Sequence, residues 1–347
     1  MVAKQEIVNL PRTLADTLEK GEPEYEVVLR RTRWGEGPVY LLGGGAAWSA
    51  ALTGVHAFET LPGWPAVARS PAGFAAYSMT LLRPGLVVIA ISPPSECSPL
   101  WEVARAARTR GATLLILTNK LESPLAGVTG GVLRLRTDSE GSGAGVCEQA
   151  AMSYLGLSAA RVFRRHHAQF EVLAEEFRML PGVIEWMLHQ MSDAVSSFAS
   201  ELAASPRVHV LGGGFYHPSA VRAEHLLREL GSCAQALDPT ESGALDHLDR
   251  DSVVLAISGS RCRLKSSIHE TLKRVGKSGV RILSITDSND RELTGISTLA
   301  MQLPNLTEMV GAVVATFLIH CVAYQMACRT RQGSVPGVIE GLNATKP

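Results

Sequence analysis

Val39–Gly45 (VYLLGGG) is the stretch that decides the fold, because Val208–Gly214 (VHVLGGG) repeats it in the second half of the chain. In both places a short apolar run ends in three glycines. A continuous apolar run without polar alternation is typical of a strand buried on both faces, as in a parallel sheet covered by helices. The pattern therefore predicts two copies of one α/β unit.

Two further stretches repeat in the same order. Leu86–Ser92 (LVVIAIS) matches Ser252–Ser258 (SVVLAIS), and Gly111–Asn119 (GATLLILTN) matches Gly279–Asp287 (GVRILSITD). The members of all three pairs lie nearly the same distance apart along the chain. A constant spacing of this kind indicates a tandem duplication.

A helical pattern separates the second and third strands of each copy. Pro99 to Arg110 carries small and apolar residues at helical spacing and is stopped by Gly111, and Leu264 to Lys277 takes the same place in the second copy. Strand, helix and strand at this spacing predict a βαβ unit with a right-handed crossover.

The remaining helical patterns lie outside the two sheets. One amphipathic helix is expected from Leu14 to Leu29, after Pro11. Between the copies, residues 147–204 predict long helices broken at Pro181-Gly182, where proline and glycine disfavour a helix interior.

Composition narrows the class of protein. A chain of 347 residues suggests two domains, and 33 basic residues balance 33 acidic ones, which argues against a nucleic-acid-binding protein. Six scattered cysteines include no CxxC pair, so we expect a reducing compartment and no metal site.

The first residues contain no apolar signal core, which predicts a cytoplasmic protein. The apolar run Met309–Tyr324 is interrupted by His320 and predicts a buried helix rather than a membrane span.

Ligands of such sheets bind beyond the carboxyl ends of the strands, so the loops after Leu42, Ile91 and Leu117 are the candidate site. In the first loop, the backbone at Gly44 and Gly45 can approach an anion at a helix N-terminus. The alternative is a tight turn that needs positive φ. The glycines do not form the GxGxxG dinucleotide motif.

The second loop, Ser92–Pro99 (SPPSECSP), also leads from a strand into a helix. The hydroxyls of Ser92, Ser95 and Ser98 can surround a phosphate with neutral donors. The alternative is an ordinary helix start, since serine at the N-cap and proline in the first turn are common there.

Further motifs carry a resemblance to a known family. Leu180–Leu188 (LPGVIEWML) is similar to a Leu-Pro-x-x-Ile-Glu-x-x-Leu linker helix, and Gly212–Pro218 (GGGFYHP) to a Gly-Arg-Gly-x-x-Tyr-Pro turn. Together with Leu264–Ile268 (LKSSI), they make the chain resemble the double sugar-isomerase (SIS) family, specifically the isomerase domain of glucosamine-6-phosphate synthase without its glutaminase domain. The resemblance covers nearly the whole chain.

The resemblance implies an α/β protein with two tandem SIS domains, each a flavodoxin-like parallel sheet flanked by helices. The expected divisions are an N-terminal helical segment, a first SIS domain, linker helices, a second SIS domain and a C-terminal tail. They cover residues 1–34, 35–160, 161–204, 205–330 and 331–347 respectively.

The resemblance also implies a phosphate site. The phosphate loop of the family, Ser-x-Ser-Gly-Glu-Ser/Thr, falls on Ser92–Cys97 and matches at Ser92 and Glu96 only. Ser95 and Ser98 offer hydroxyls in place of those missing. A family lysine near the C-terminus covers the sugar, and Lys346 stands in roughly that place. The Ser258-Gly259-Ser260 turn of the second copy is a second candidate anion site.

Two catalytic residues follow from the same resemblance. Glu229 takes the place of the glutamate that acts as general base, with the carboxylate that proton transfer between C1 and C2 requires. The family histidine that opens the sugar ring comes from the neighbouring subunit in a His-Gly-Pro motif. His247 is its nearest counterpart, without Gly-Pro, and Glu241 is a second candidate in the same loop. A surface glutamate and an exposed loop histidine are the alternatives.

The implied function is aldose–ketose isomerisation, or deamination or deglycation, of a phosphorylated sugar or amino sugar. No metal or organic cofactor is expected, and the partners expected are the sugar phosphate and a second copy in a homodimer, without nucleic acid or membrane. The alternative is a non-catalytic sugar-phosphate sensor or a partner-binding paralogue, which the altered phosphate loop and the missing His-Gly-Pro favour.

Overall fold

A computed structural model of the chain describes residues 3–91, 97–137, 144–165, 168–245, 248 and 251–331. It divides into two compact units. We call Arg12–Arg178 the N-terminal unit, and Met1–Pro11 with Met179–Pro347 the C-terminal unit.

The N-terminal unit contains one five-stranded parallel sheet with the strand order β2-β1-β3-β4-β5. Its strands are β1 (Val39–Leu42), β2 (Ala66–Arg69), β3 (Val87–Ile91), β4 (Thr113–Thr118) and β5 (Gly131–Arg134). The helices begun in this half of the sequence are α1 (Lys4–Glu19), α2 (Gly21–Arg31), α3 (Trp48–Thr60), α4 (Pro71–Tyr77), α5 (Ser98–Arg110), α6 (Gly145–Val162) and α7 (Phe170–Gln190), of which α1 and α7 cross the boundary between the units.

The C-terminal unit contains a second five-stranded parallel sheet with the order β10-β9-β8-β6-β7. Its strands are β6 (Arg207–Gly212), β7 (Cys233–Leu237), β8 (Ser252–Ile257), β9 (Arg281–Asp287) and β10 (Leu299–Leu303). Its other helices are α8 (Ser192–Ala203), α9 (Tyr216–Glu229), α10 (Lys265–Gly276), α11 (Arg291–Ile296) and α12 (Glu308–Arg331).

The two sheets have the same topology, which confirms the predicted duplication and the α/β fold class. In each, the first strand of the copy lies between the second and the third. Every residue of β3 and β8 is buried, as the continuous apolar runs predict.

The glycine turns explain why the repeat is visible in the sequence. A Cβ at Gly43 would lie 2.4 Å from the carbonyl oxygen of Ala47, and a Cβ at Gly212 would lie 2.6 Å from that of Tyr216. Neither contact is sterically possible, so the close approach of the following helix requires glycine. Gly45 and Gly214 have φ values of +54° and +58°, where a Cβ is also unfavourable.

Two expectations about the outer helices are wrong. The single helix from Leu14 to Leu29 is instead α1 and α2, which separate at Lys20. The separation lets the ring of Tyr25 pack on Gly21 and its hydroxyl donate to the carbonyl oxygen of Arg134, at 3.0 Å.

The expected break at Pro181-Gly182 is absent, because α7 continues through both residues. Leu180, Ile184 and Met187 are fully buried and form one helical face across the proline. Burial of this face outweighs the local cost of proline in the helix.

The predicted apolar helix is α12, which extends beyond both expected ends. Its segment Glu308–Arg329 is long and apolar enough to cross a membrane, but 94% of its most apolar window is buried inside the protein. It packs on α9, where Thr316 donates to the Ser219 hydroxyl (3.0 Å), which donates to the carbonyl oxygen of Ala312 (2.9 Å). These contacts are those of a core helix.

Candidate functional site

In the N-terminal unit, the Gly43–Gly45 turn follows β1 at the point where strand order reverses. Because β1 lies between β2 and β3, its carboxyl end is the topological switch point, where ligands of such sheets bind. The turn leads through a single 3₁₀ turn, Gly45–Ala47, into α3. Gly44 and Gly45 are exposed, and a Cβ on Gly45 would meet no described atom within 4 Å. Within the part of the chain that the structure describes, nothing fills the space beside Gly45.

The predicted phosphate loop is described only at its end. Ser92, Ser95 and Glu96 lie outside the described residues. Ser98 is exposed and is the first residue of α5, the helix that follows β3, and Pro99 occupies the first turn.

The third candidate loop follows β4 at the carboxyl edge of the first sheet, and hydrogen bonds of its own residues fix it. The backbone N–H of Lys120 donates to the Thr118 hydroxyl at 3.0 Å, and the Asn119 side-chain amide donates to the carbonyl oxygen of Thr137 at 3.1 Å. These bonds fix the chain beyond β4 without using the exposed glycine turn.

In the C-terminal unit, the equivalent turn is filled. A Cβ on Gly214 would lie 2.6 Å from Oε1 of Glu308, the buried first residue of α12. Burial raises the pKa of the Glu308 carboxyl group, although Cys262 and the backbone of Arg263 and Phe215 oppose the shift. A carboxyl group of the protein thus occupies the space that is open at Gly45.

The second candidate anion site, Ser258-Gly259-Ser260, is also occupied from within. The N–H of Ser260 donates to Oδ2 of the buried Asp287 at 2.6 Å. A Cβ on Gly259 would lie 2.6 Å from the Tyr216 hydroxyl. The Ser260 N–H that a phosphate would need is therefore already bonded to a side chain of the protein.

Glu229 is the last residue of α9, and its side chain is 32% exposed. Its Oε1 lies 3.3 Å from Nε2 of His225, one helical turn earlier. On the buried side of the same helix, Nε of Arg222 donates to Nε2 of His320 at 3.0 Å. The catalytic role of Glu229 stays a prediction.

The remaining predicted site residues are His247, Lys346 and Glu241. His247 and Lys346 lie outside the described residues. Glu241 is exposed, and its Oε2 accepts the backbone N–H of Asp238 at 3.1 Å. In the described part of the chain, no group of three or more His, Cys, Asp or Glu side chains could hold a metal ion.

Sequence reasoning missed Tyr216, Asp287 and Glu308 at the edge of the second sheet. For Asp287 the sequence contained a signal. The repeat aligns it with Asn119, so the second copy has a carboxyl side chain where the first has an amide. Glu308 gave no such signal, since it lies far from Gly214 along the chain and only the fold brings them together.

Comparison with known proteins agrees with this architecture. The family model of the SIS domain matches residues 34–160 and 201–329. The chain is 24% identical over 313 residues to a glutamine–fructose-6-phosphate aminotransferase (isomerizing) of Synechocystis sp., which covers 84% of this chain and 48% of that protein. The corresponding protein of Mycolicibacterium smegmatis is 24% identical over 342 residues, covering 93% of this chain and 54% of that protein. The chain thus spans about half the length of the curated relatives it matches.

Solved structures share the fold at low sequence identity. The C-terminal domain of glucosamine-fructose-6-phosphate aminotransferase from Francisella tularensis superimposes with a TM-score of 0.83 at 17% identity, covering 93% of this chain and 94% of that one. The tagatose-6-phosphate ketose/aldose isomerase of Escherichia coli gives a TM-score of 0.72 at 17% identity, covering 96% and 95%.

Proposed function

Because this chain belongs to the SIS-domain family, we propose that it binds a phosphorylated sugar at the glycine turn of its N-terminal unit and isomerises it. The observation that carries the proposal is the difference between the two turns. The space beside Gly45 is open, whereas Glu308 occupies the space beside Gly214. One sugar phosphate therefore binds per chain, in the first repeat.

The phosphate group suits the open turn for physical reasons. The turn leads to the N-terminal end of α3, where the helix dipole favours negative charge. Gly44 and Gly45 let the anion approach the backbone closely. Ser92, Ser95, Ser98 and Glu96 of the neighbouring loop complete the proposed site, with Lys346 covering the sugar.

The proposed reaction moves one proton between neighbouring carbons. The Glu229 carboxylate removes a proton from the carbon beside the carbonyl group while the carbonyl oxygen takes up a proton from water, which gives an enediol. It then returns its proton to the former carbonyl carbon while the other enediol hydroxyl releases its proton to water, which converts ketose to aldose. His247, from a second copy in a cytoplasmic homodimer, exchanges the proton that opens the ring. With a 2-amino aldose the reverse proton transfer gives an imine at C2, and water hydrolyses this imine to a ketone and ammonia. The relatives named as isomerizing aminotransferases and ketose/aldose isomerases support this class of reaction.

A sugar-phosphate sensor without turnover is the second candidate. The observation that favours it is the phosphate loop, which matches the family pattern only at Ser92 and Glu96 and contains two prolines. Binding of a sugar phosphate without interconversion would identify the chain as a sensor.

Binding is tested by closing the open turn. In Gly45→Ala the new Cβ enters the space proposed for the phosphate, so the affinity for fructose 6-phosphate should fall about tenfold or more by isothermal titration calorimetry. Unphosphorylated fructose should bind neither protein measurably.

Gly63→Ala is the matched control. Gly63 also has a positive φ, +71°, and no described atom within 4 Å of its Cβ position, but it lies between α3 and β2, at the opposite edge of the sheet. It carries the same backbone strain without touching the site and should bind like the unmodified protein. Equal affinity in both variants would contradict the proposed phosphate site.

A further inference from the structure

His225 lies next to the proposed general base. It precedes Glu229 by one turn of α9, and its Nε2 is 3.3 Å from the Glu229 Oε1. The two side chains are 34% and 32% exposed, so each is partly shielded and still reachable from solvent. Hydrogen bonds of catalytic groups are often this long before a substrate is bound.

The surroundings of His225 favour the neutral imidazole. Burial lowers the pKa of His225, and the Arg222 guanidinium lowers it further, while Glu229 and Glu224 act in the opposite direction with smaller effect. A neutral imidazole carries one N–H, and that proton on Nε2 can be donated to a carboxylate oxygen.

The cation beneath His225 is fixed in the core. Arg222 is fully buried, and its Nε donates to Nε2 of His320 on α12. Burial lowers the pKa of His320 well below its ordinary value, and Arg222 adds to that shift, so His320 accepts the bond as a neutral base. The positive charge of Arg222 is therefore a permanent feature of this helix.

The remaining acidic group of the helix is held elsewhere. Glu224 accepts the N–H of Ala236 on β7 at 3.0 Å and pairs with Arg228 at 3.0 Å. Glu224 therefore has partners other than His225, whereas Glu229 lies next to His225.

We propose that His225 is a positioning residue for Glu229, donating its Nε2 proton to Oε1 so that the carboxylate stays ionised and keeps one orientation. This inference rests on the proposed function of Glu229. A neutral donor next to a carboxylate favours its charged form. Without His225, Glu229 should take up a proton at higher pH and should sample more side-chain rotamers.

The test compares His225→Phe, which removes the donor, with His225→Gln, which keeps a neutral N–H. For His225→Phe we expect kcat to fall about tenfold with KM nearly unchanged, and the acid limb of the kcat pH profile to move to higher pH. His225→Gln should restore most of the rate and the original acid limb. If His225 had only a structural role, His225→Phe would not change the acid limb of the kcat pH profile.

A second measurement does not need activity. The carboxyl ¹³C shift of Glu229, followed by NMR against pH, should titrate at higher pH in His225→Phe than in the unmodified protein and in His225→Gln. An unchanged titration in His225→Phe would overturn the inference. Failure of the proposed function is distinguishable, because full activity of Glu229→Gln would exclude Glu229 as the base whatever His225 does.

Discussion

Glu308 is a buried carboxyl group whose Oε1 has no hydrogen-bond partner among the described residues. Its pKa is raised in the folded chain, chiefly by burial, so the folded state binds its proton more tightly than the unfolded state does. The stabilisation from the protonated form is complete below the ordinary carboxyl pKa. It is lost as the pH rises through the higher pKa of the folded state.

Glu308→Gln should remove this pH dependence, because a glutamine stays neutral. The free energy of unfolding of the variant, relative to the unmodified protein, should increase as the pH rises above 4.5, the ordinary carboxyl pKa. Urea unfolding at several pH values measures it. Glu270→Gln, an exposed position on α10, is the control and should leave the pH dependence unchanged. A difference between Glu308→Gln and the unmodified protein that stays constant with pH would contradict this account.

The need for particular residues could be predicted where the atoms that would clash are close in sequence. Gly43 and Gly212 are required by carbonyl groups only four residues ahead, and the repeated triple glycine is the mark that this requirement leaves in the sequence. The contact of Glu308 with Gly214 joins residues far apart in sequence, so no local rule could reveal it.

At the scale of elements, α10 and α11 are joined by one histidine. His269 is buried, its Nε2 lies 3.0 Å from Oδ2 of Asp290, and its Nδ1 lies 3.0 Å from Oε2 of Glu292. Asp290 is also buried, and its Oδ1 caps α11 by accepting the N–H of Leu293 at 3.1 Å. The histidine thus satisfies a carboxylate that has little access to water.

His269→Ala should destabilise the C-terminal unit by about 1–3 kcal/mol, because it leaves the buried Asp290 oxygen without this donor. Lys273→Ala removes the exposed partner of Glu292 and should cost no more than about 0.5 kcal/mol. Urea denaturation followed by circular dichroism compares the two. If both substitutions lowered the free energy of unfolding by the same amount, the buried contact between His269 and Asp290 would contribute no more than the exposed ion pair.

Elements were predicted well where burial and local preference agree. The helix after β3 ends at Arg110 as expected, because Gly111 adopts the left-handed conformation that stops it. The prediction failed at Pro181, where the buried face of Leu180 and Ile184 keeps α7 continuous. Local propensity cannot report how much apolar surface a helix buries against distant residues.

For the whole molecule, the duplication was the most informative feature of the sequence. Three repeated stretches predicted two parallel sheets of the same topology, and both sheets have it. The sequence could not show that the two glycine turns differ, because Glu308, which fills the turn at Gly214, comes from a distant element. The loops that carry His247 and most of the phosphate motif lie outside the described residues, so those assignments stay predictions.

The central claim is that the chain interconverts a ketose phosphate and an aldose phosphate with Glu229 as the base. The most direct test measures kcat for fructose 6-phosphate and tagatose 6-phosphate in the unmodified protein, in Glu229→Gln and in Glu224→Gln. Glu224 is the matched control, because it is a carboxylate on the same helix that is held by Ala236 and Arg228.

We expect turnover of at least one sugar phosphate by the unmodified protein. Glu229→Gln should lower kcat by about 10² to 10⁴ while the dissociation constant of the sugar phosphate stays nearly unchanged, since only the proton acceptor is lost. Glu224→Gln should retain most of the activity. Full activity of Glu229→Gln would contradict the assignment of the base, and tight binding without turnover by the unmodified protein would contradict the claim of catalysis and leave the sensor.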